Sequence, residues 1–300
     1  MQKQKFFSAL PLLFLILLPL LPAHAQEYPF GPDATVIGTL RTYRITNEKE
    51  SLIELAREFG VGYNEIVDAN PDLDPFIPGA PVTVTIPSAW ILPEMKTYEG
   101  LVINLSEMRL YYFYTKRNEH LAMTFPIGIG SEGHATPVGN FSIVQKTVNP
   151  SWYVPESIKR EYPELPDVVP PGPDNPLGTH ALRLSLRSIL IHGTNRPFAI
   201  GRRASHGCIR LYPEDIPKLF DAVPSGTPIA IVRQPIKLGM RKGRIHIEVH
   251  YEEESETNYF IEAMQLLKKK DLFDAIDVEK LYRALSERKG IPADISKEGE

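Results

Sequence analysis

One cysteine in 300 residues, Cys208, is the sharpest scarcity in this chain. An internal disulfide is therefore excluded, and stability must come from packing and polar contacts. The chain has no C-x-x-C pair and no H-E-x-x-H helix, so the common zinc frameworks are missing and no metal or cofactor is expected. Basic excess is missing as well: 33 lysines and arginines face 37 acids, a formal charge of −4, and nothing favours nucleic acid as a partner. No repeat recurs, and no membrane-length apolar run follows the first 25 residues.

Those first residues have a pattern of their own. Lys3 and Lys5 precede an apolar run over 6–21, and Ala23-His24-Ala25 supplies small residues two apart. Residues 1–25 read as a cleavable signal peptide; an uncleaved anchor fits less well, because the run is short and broken by Pro11 and Pro19. Cleavage removes two lysines and no acids, deepening the formal charge to −6. The mature protein is then expected outside the cytoplasm, in the periplasm or cell wall of a bacterium. There Cys208 is a free thiol in an oxidising compartment, which calls for a reason beyond the alternative of an inert buried side chain.

Ordinary composition, 43% hydrophobic and 23% charged, suits two or three packed units. Residues 26–40 read as a Gly- and Pro-containing linker, and 41–88 as a strand, two helices and a strand. Ser51 and Glu54 form a capping box, Leu52, Leu55, Ala56 and Phe59 recur at helical spacing, and Gly60 stops the helix. A second helix begins at Tyr63 and must end by Asn70-Pro71. Val82, Val84 and Ile86 alternate with Thr83 and Thr85 as in a half-buried strand. Tyr43-Arg44-Ile45, the capped helix, Asn70-Pro71 and Ile86-Pro87 resemble the landmarks of a LysM domain, which implies binding of N-acetylglucosamine-containing glycan strands. Thr46-Asn47-Glu48-Lys49-Glu50 stands where that family usually shows a Gly-Asp-Thr-type turn, and a spacer that binds nothing is the alternative.

Short strands and Gly/Pro turns dominate 97–233, the pattern of a mainly β catalytic domain. Residues 101–105 and 108–114 read as a hairpin around Ser106-Glu107. Segments 121–129 and 139–147 bracket a glycine-containing loop, and 149–177 is a long irregular excursion carrying Trp152, Tyr153 and Tyr162, taken as a wall of the substrate cleft. The extension 234–300 has a strand over 244–251 and two helical patterns, the last framed by Asp277 and Gly290; its role is open. His246, Glu248 and His250 share one face of that strand, read as solvated, with Ile245, Ile247 and Val249 inward.

Chemistry concentrates in Ile191-His192-Gly193-Thr194-Asn195 and Ser205-His206-Gly207-Cys208-Ile209-Arg210-Leu211. A thiol attacks as thiolate, and a neighbouring imidazole can take its proton. Gly207 lets consecutive backbone N–H groups approach a developing oxyanion. His192 ends an apolar strand, a rigid mount for a catalytic group.

These two motifs resemble the signature of L,D-transpeptidase catalytic domains of the YkuD, or ErfK/YbiS/YcfS/YnhG, type. That resemblance implies an L,D-transpeptidase-type β-sandwich, with Cys208 as nucleophile and His192 as general base oriented by the Gly193 carbonyl. His206, Gly207 and Cys208 would supply the oxyanion hole, and Arg210, Ser205 and Thr194 would serve the substrate side. Arg210 stands where some members carry Asn, and suits a carboxylate, although pairing with Glu214 or Asp215 is equally open. The implied reaction acylates Cys208 with a peptidoglycan stem tetrapeptide, releases D-Ala and passes the acyl group on. A diaminopimelate amine as acceptor gives a 3→3 cross-link, a lipoprotein lysine gives anchoring of an outer-membrane protein, and water gives carboxypeptidase activity. Carbapenems would acylate the same thiol. A thiol amidase and a non-catalytic wall-glycan-binding protein are the competing readings.

Overall fold

Leu101 and Ile103 point one way from the strand Gly100–Asn104 and Val102 the other, as a pleated strand dictates. Both faces are covered, so all five residues are buried. In the computed structural model, which describes residues 26–252 and 258–298, nine strands form one hydrogen-bonded sheet. Their order is Glu27–Pro29, Glu119–Pro126, Arg109–Lys116, Gly100–Asn104, Pro228–Val232, Gly139–Val148, His180–Leu184, Leu190–His192 and Ile209–Arg210. Two pairings are parallel, Pro228–Val232 with Gly100–Asn104 and Ile209–Arg210 with Leu190–His192; the rest are antiparallel.

The fold is mainly β, and what would otherwise be two sheets is one continuous curled sheet. Gly139–Val148 makes the difference: its first four residues pair with Pro228–Val232, and beyond an irregularity at Val144 it pairs with His180–Leu184. An extra residue in one strand bends it and increases its twist. Leu101, Ile103, Phe125, Ile143, Leu182, Ile191, Ile209 and Ile231 form the main core with Ile216 and Leu219 of helix Ile216–Ala222.

On the other face, Arg41–Ile45 and Val82–Ile86 pair around helices Leu52–Glu58 and Tyr63–Asp68. Ser51 and Glu54 close the capping box, and the Asn70 amide ties the second helix to Thr85. Leu52, Leu55, Ile66 and Trp90 share one core with Val102, Tyr111 and Phe113, so this unit rests on the sheet. The stretch read as a linker is itself ordered: Glu27–Pro29 adds the edge strand, and Val36–Gly38 pairs with Ala89–Ile91. Segment 149–177 also departs from an irregular loop, since Trp152–Tyr153 pairs with Val168–Val169 around helix Glu156–Glu161. The signal-peptide reading falls on residues 1–25, outside the described ones. No described helix is long and apolar enough to cross a membrane.

In the extension, Ile236–Arg241 pairs with Arg244–Val249 and packs under helices Tyr259–Lys269 and Val278–Glu287. The reading of Glu248 and His250 as solvated is overturned: both are buried, because the strand is covered on both faces. Lys237 Nζ lies 2.7 Å from Glu107 and 2.9 Å from Glu248, and His250 Nε2 lies 2.7 Å from Glu248. Glu107, Glu248 and His250 are close enough together for a metal, but the Lys237 ammonium already contacts both carboxylates and offsets one of their two charges.

A second buried ion pair joins the helical unit to the sheet. Glu65 accepts from Arg109 Nε at 2.8 Å and Nη2 at 2.7 Å, from Trp90 Nε1 at 2.9 Å and from the Gly62 N–H at 2.6 Å. Glu65→Ala would leave the Arg109 charge buried and unpaired, so stability should fall by about 3–5 kcal/mol in urea unfolding. A loss below about 1 kcal/mol would show that this contact is dispensable.

Candidate active site

Parallel pairing of Ile191 with Ile209 and of His192 with Arg210 decides which side chains share a face. Ile191 and Ile209 enter the core, so His192 and Arg210 turn the opposite way. In the next strand Arg183 pairs with Leu190. Arg183, Leu190, His192 and Arg210 all line a cleft of about 460 Å³, and Cys208 lines it from the turn preceding Ile209–Arg210. Trp152, Tyr153, Pro155 and Ile158 form a wall, as expected of the 149–177 excursion. Asn175 anchors that wall, donating through Nδ2 to the Pro150, Val169 and Pro170 carbonyls while its Oδ1 accepts from the Leu177 N–H.

His192 is 4% exposed, and its Nδ1–H donates to the Gly193 carbonyl at 2.6 Å. That contact leaves Nε2 with a free lone pair. Burial, reinforced by the Arg210 charge, pushes the imidazole pKa down to about 4. Cys208 is half-buried, its thiol 3.7 Å from the Ser188 carbonyl oxygen. Burial pushes the thiol pKa up despite a Leu190 backbone hydrogen bond and the Arg210 and Arg183 charges. At neutral pH the free site thus holds a neutral thiol and a neutral imidazole.

The turn before Cys208 is clamped. Ser205 Oγ donates to the Cys208 carbonyl at 2.5 Å, and Thr136 Oγ1 donates to the Gly207 carbonyl at 2.9 Å. Gly207 has φ +97°, a conformation that a side chain would strain. Among the described residues, the backbone N–H groups of His206, Gly207 and Cys208 meet no protein acceptor. His206 Nε2 donates to Glu161 of the wall helix at 3.1 Å, and its ring lies 4.5 Å from that of His134. Thr194 is buried with its hydroxyl accepting from the Arg196 N–H, and does not line the cleft; Ser205 and Arg210 do. The acids weighed as partners for Arg210 are engaged elsewhere, Glu214 with Arg57 and Asp215 with Lys218. Arg210 Nε is buried without a partner.

Residues 99–231 match the YkuD family, described as the L,D-transpeptidase catalytic domain. The chain is 40% identical over 240 residues to the probable L,D-transpeptidase YcfS of Escherichia coli, covering 77% of this chain and 74% of that one. It is also 36% identical over 287 residues to the probable L,D-transpeptidase ErfK/SrfK of Salmonella typhimurium, covering 91% of this chain and 92% of the relative. The chain belongs to the L,D-transpeptidase family.

As an L,D-transpeptidase it carries two cleft arginines, Arg183 and Arg187, that motif reading passed over. Alternation could have found the first, since Arg183 stands exposed between buried Leu182 and Leu184. Glu161 had no local signal at all, because its partner lies 45 residues away. The neutral thiol has a direct consequence. Iodoacetamide alkylation of Cys208 should keep rising through pH 9, as a thiol with a raised pKa deprotonates. A rate plateau between pH 5 and 8 would instead reveal a resting thiolate–imidazolium pair.

Proposed function

We propose that this L,D-transpeptidase works by a cysteine acyl-enzyme mechanism on peptidoglycan stem peptides. One observation carries the reading: Cys208 and a neutral His192, with Nδ1 tied to Gly193, line the same cleft, and among the described residues the backbone N–H groups of His206, Gly207 and Cys208 have no protein acceptor. Cys208 Sγ attacks the carbonyl carbon joining the third stem residue to D-Ala, and His192 Nε2 takes the thiol proton. Oxyanion charge develops toward the His206, Gly207 and Cys208 amides, where donors without protein partners stabilise it most. The C–N bond breaks as His192 returns the proton to the amine of D-Ala, leaving a thioester. An acceptor amine then attacks and loses its proton to His192; the C–S bond breaks, and the thiolate recovers that proton. Diaminopimelate amine, lipoprotein lysine and water differ only at this last stage.

Arg210 has two parts in the reading. Its guanidinium, with Nε unpartnered, suits a substrate carboxylate, and its charge adds to burial in keeping His192 neutral in the free enzyme. Once a carboxylate offsets that charge, the imidazole becomes a stronger base at the moment a base is needed. Ser205 and Thr136 brace the turn, and Thr194 shapes the backbone after His192. The reading includes export with cleavage after Ala25, a catalytic unit over 97–233, and a 41–88 unit that holds glycan strands, supported by its strand-helix-helix-strand order.

The direct test is mass spectrometry of products from a disaccharide tetrapeptide and of intact protein after carbapenem exposure. Cys208→Ala should abolish product and adduct, whereas His192→Ala should slow acylation by about 10²–10⁴. An adduct on any other residue, or cross-linking by Cys208→Ala, would remove the nucleophile assignment. The pH profile gives a second check. Protonated His192 cannot accept, so kcat/KM should fall on the acid side only near pH 4, and the acid limb of kcat should lie higher, where bound substrate has offset Arg210. Coincident acid limbs near pH 6.5 would contradict the arginine argument.

A further inference from the structure

The cleft carries charge of one sign. Arg183, Arg187 and Arg210 all line it, and among the described residues no aspartate or glutamate does. The three come from separate segments: His180–Leu184, the turn before Leu190–His192, and Ile209–Arg210. Arg183 is held in place, with Nε donating to Gln145 Oε1 at 3.3 Å and Nη1 to the Arg187 carbonyl at 3.2 Å. A guanidinium offers five N–H donors in a fixed fork, so the Nη2 hydrogens and one on Nη1 remain for a ligand. Neither Arg183 nor Arg187 has an acidic partner among the described residues.

Spacing indicates what the ligand must look like. The Leu190–His192 strand separates Arg183 from Arg210, which puts their backbones roughly 10 Å apart across the sheet. Cys208 lines the same cleft. A peptide with its scissile carbonyl at the thiol therefore has one anion site at Arg210 and room for another at Arg183. A terminal carboxylate and one on a long side chain of the preceding residue can span about that distance.

We infer that Arg183 and Arg187 form a second anion subsite, selecting donor peptides whose third residue bears a free side-chain carboxylate. This rests on the acyl-transfer reading for the identity of the peptide, but selection itself is a matter of binding. A guanidinium fork matches a carboxylate through paired charge-assisted hydrogen bonds, and a carboxamide forfeits both the charge and one acceptor. Arg210 takes the carboxylate of the leaving D-alanine, and the pair of anchors aligns the bond between them with the thiol.

Trp152 lies in the cleft wall and Trp90, the other tryptophan, is buried in the core, so fluorescence reports occupancy without turnover. The full chain carrying Cys208→Ala is titrated with L-Ala-γ-D-Glu-meso-diaminopimelyl-D-Ala and with the same peptide amidated on the diaminopimelate side-chain carboxylate. The free acid should bind about tenfold more tightly, the worth of one charge-assisted pair at a partly exposed site. Adding Arg183→Gln and Arg187→Gln, both at exposed positions, should equalise the two peptides while leaving affinity for the amide unchanged. Arg183→Lys, which keeps charge without the fork, should retain part of the preference. Equal binding to the starting protein, or a preference that survives loss of both arginines, would overturn the subsite. Failure of the enzyme to form cross-links would count against acyl transfer alone, since this measurement involves no reaction.

Discussion

Parallel pairing between Leu190–His192 and Ile209–Arg210 is the constraint from which the cleft follows. Side chains alternate across a strand, so a shift of one residue in this pairing would exchange Ile209 for Arg210 on the core side. Burying that guanidinium among Ile191, Leu182 and Leu211 would be prohibitive, and the register is correspondingly well determined. The same alternation brings Arg183 onto the face of His192. Catalytic geometry here is a by-product of apolar residues claiming the other side.

Buried charge joins the remaining parts to this sheet. Glu65 with Arg109 fastens the helical unit, and Lys237 with Glu107 and Glu248 fastens the extension. Such pairs add little net stability compared with apolar packing, because both ions are desolvated. Their effect is on specificity: a slipped contact would leave an unpaired ion inside. Glu107 lies in the turn of one hairpin and Arg109 opens its second strand, so both attachments converge on the strands Gly100–Asn104 and Arg109–Lys116.

Local signals carried much of the architecture. The capping box at Ser51, the Asp277 cap and the alternation over 82–86 needed only neighbours in the chain, and each has its counterpart in the fold. Long-range decisions were harder. Nothing in His246, Glu248 and His250 discloses that Ala89–Ile91 and Lys237 cover that strand, so a polar face looked solvated. Likewise, Gly139–Val148 reads as one strand, and its change of partner at Val144 depends on two segments distant in sequence, His180–Leu184 and Pro228–Val232. At the site, the placing of Cys208 and His192 in one cleft was legible because their motifs are compact. Arg183 was not, because it enters through a strand pairing that no motif encodes.

Protonation of the resting pair bears on how a lone thiol survives outside the cytoplasm, where the export reading puts it. Oxidation proceeds through the thiolate, so a burial-raised pKa lowers the reactive fraction between turnovers. The same burial weakens the nucleophile, and Arg183 and Arg210 only partly compensate through space. On the acyl-transfer reading, reactivity comes from His192 accepting the proton as attack proceeds, which requires an imidazole that is neutral beforehand. Arg210 and the dry position of His192 supply that condition, and the Gly193 carbonyl keeps Nε2 as the free nitrogen. On the acyl-transfer reading, a substrate carboxylate that offsets Arg210 relieves its lowering of the His192 pKa, so base strength rises with occupancy rather than at rest.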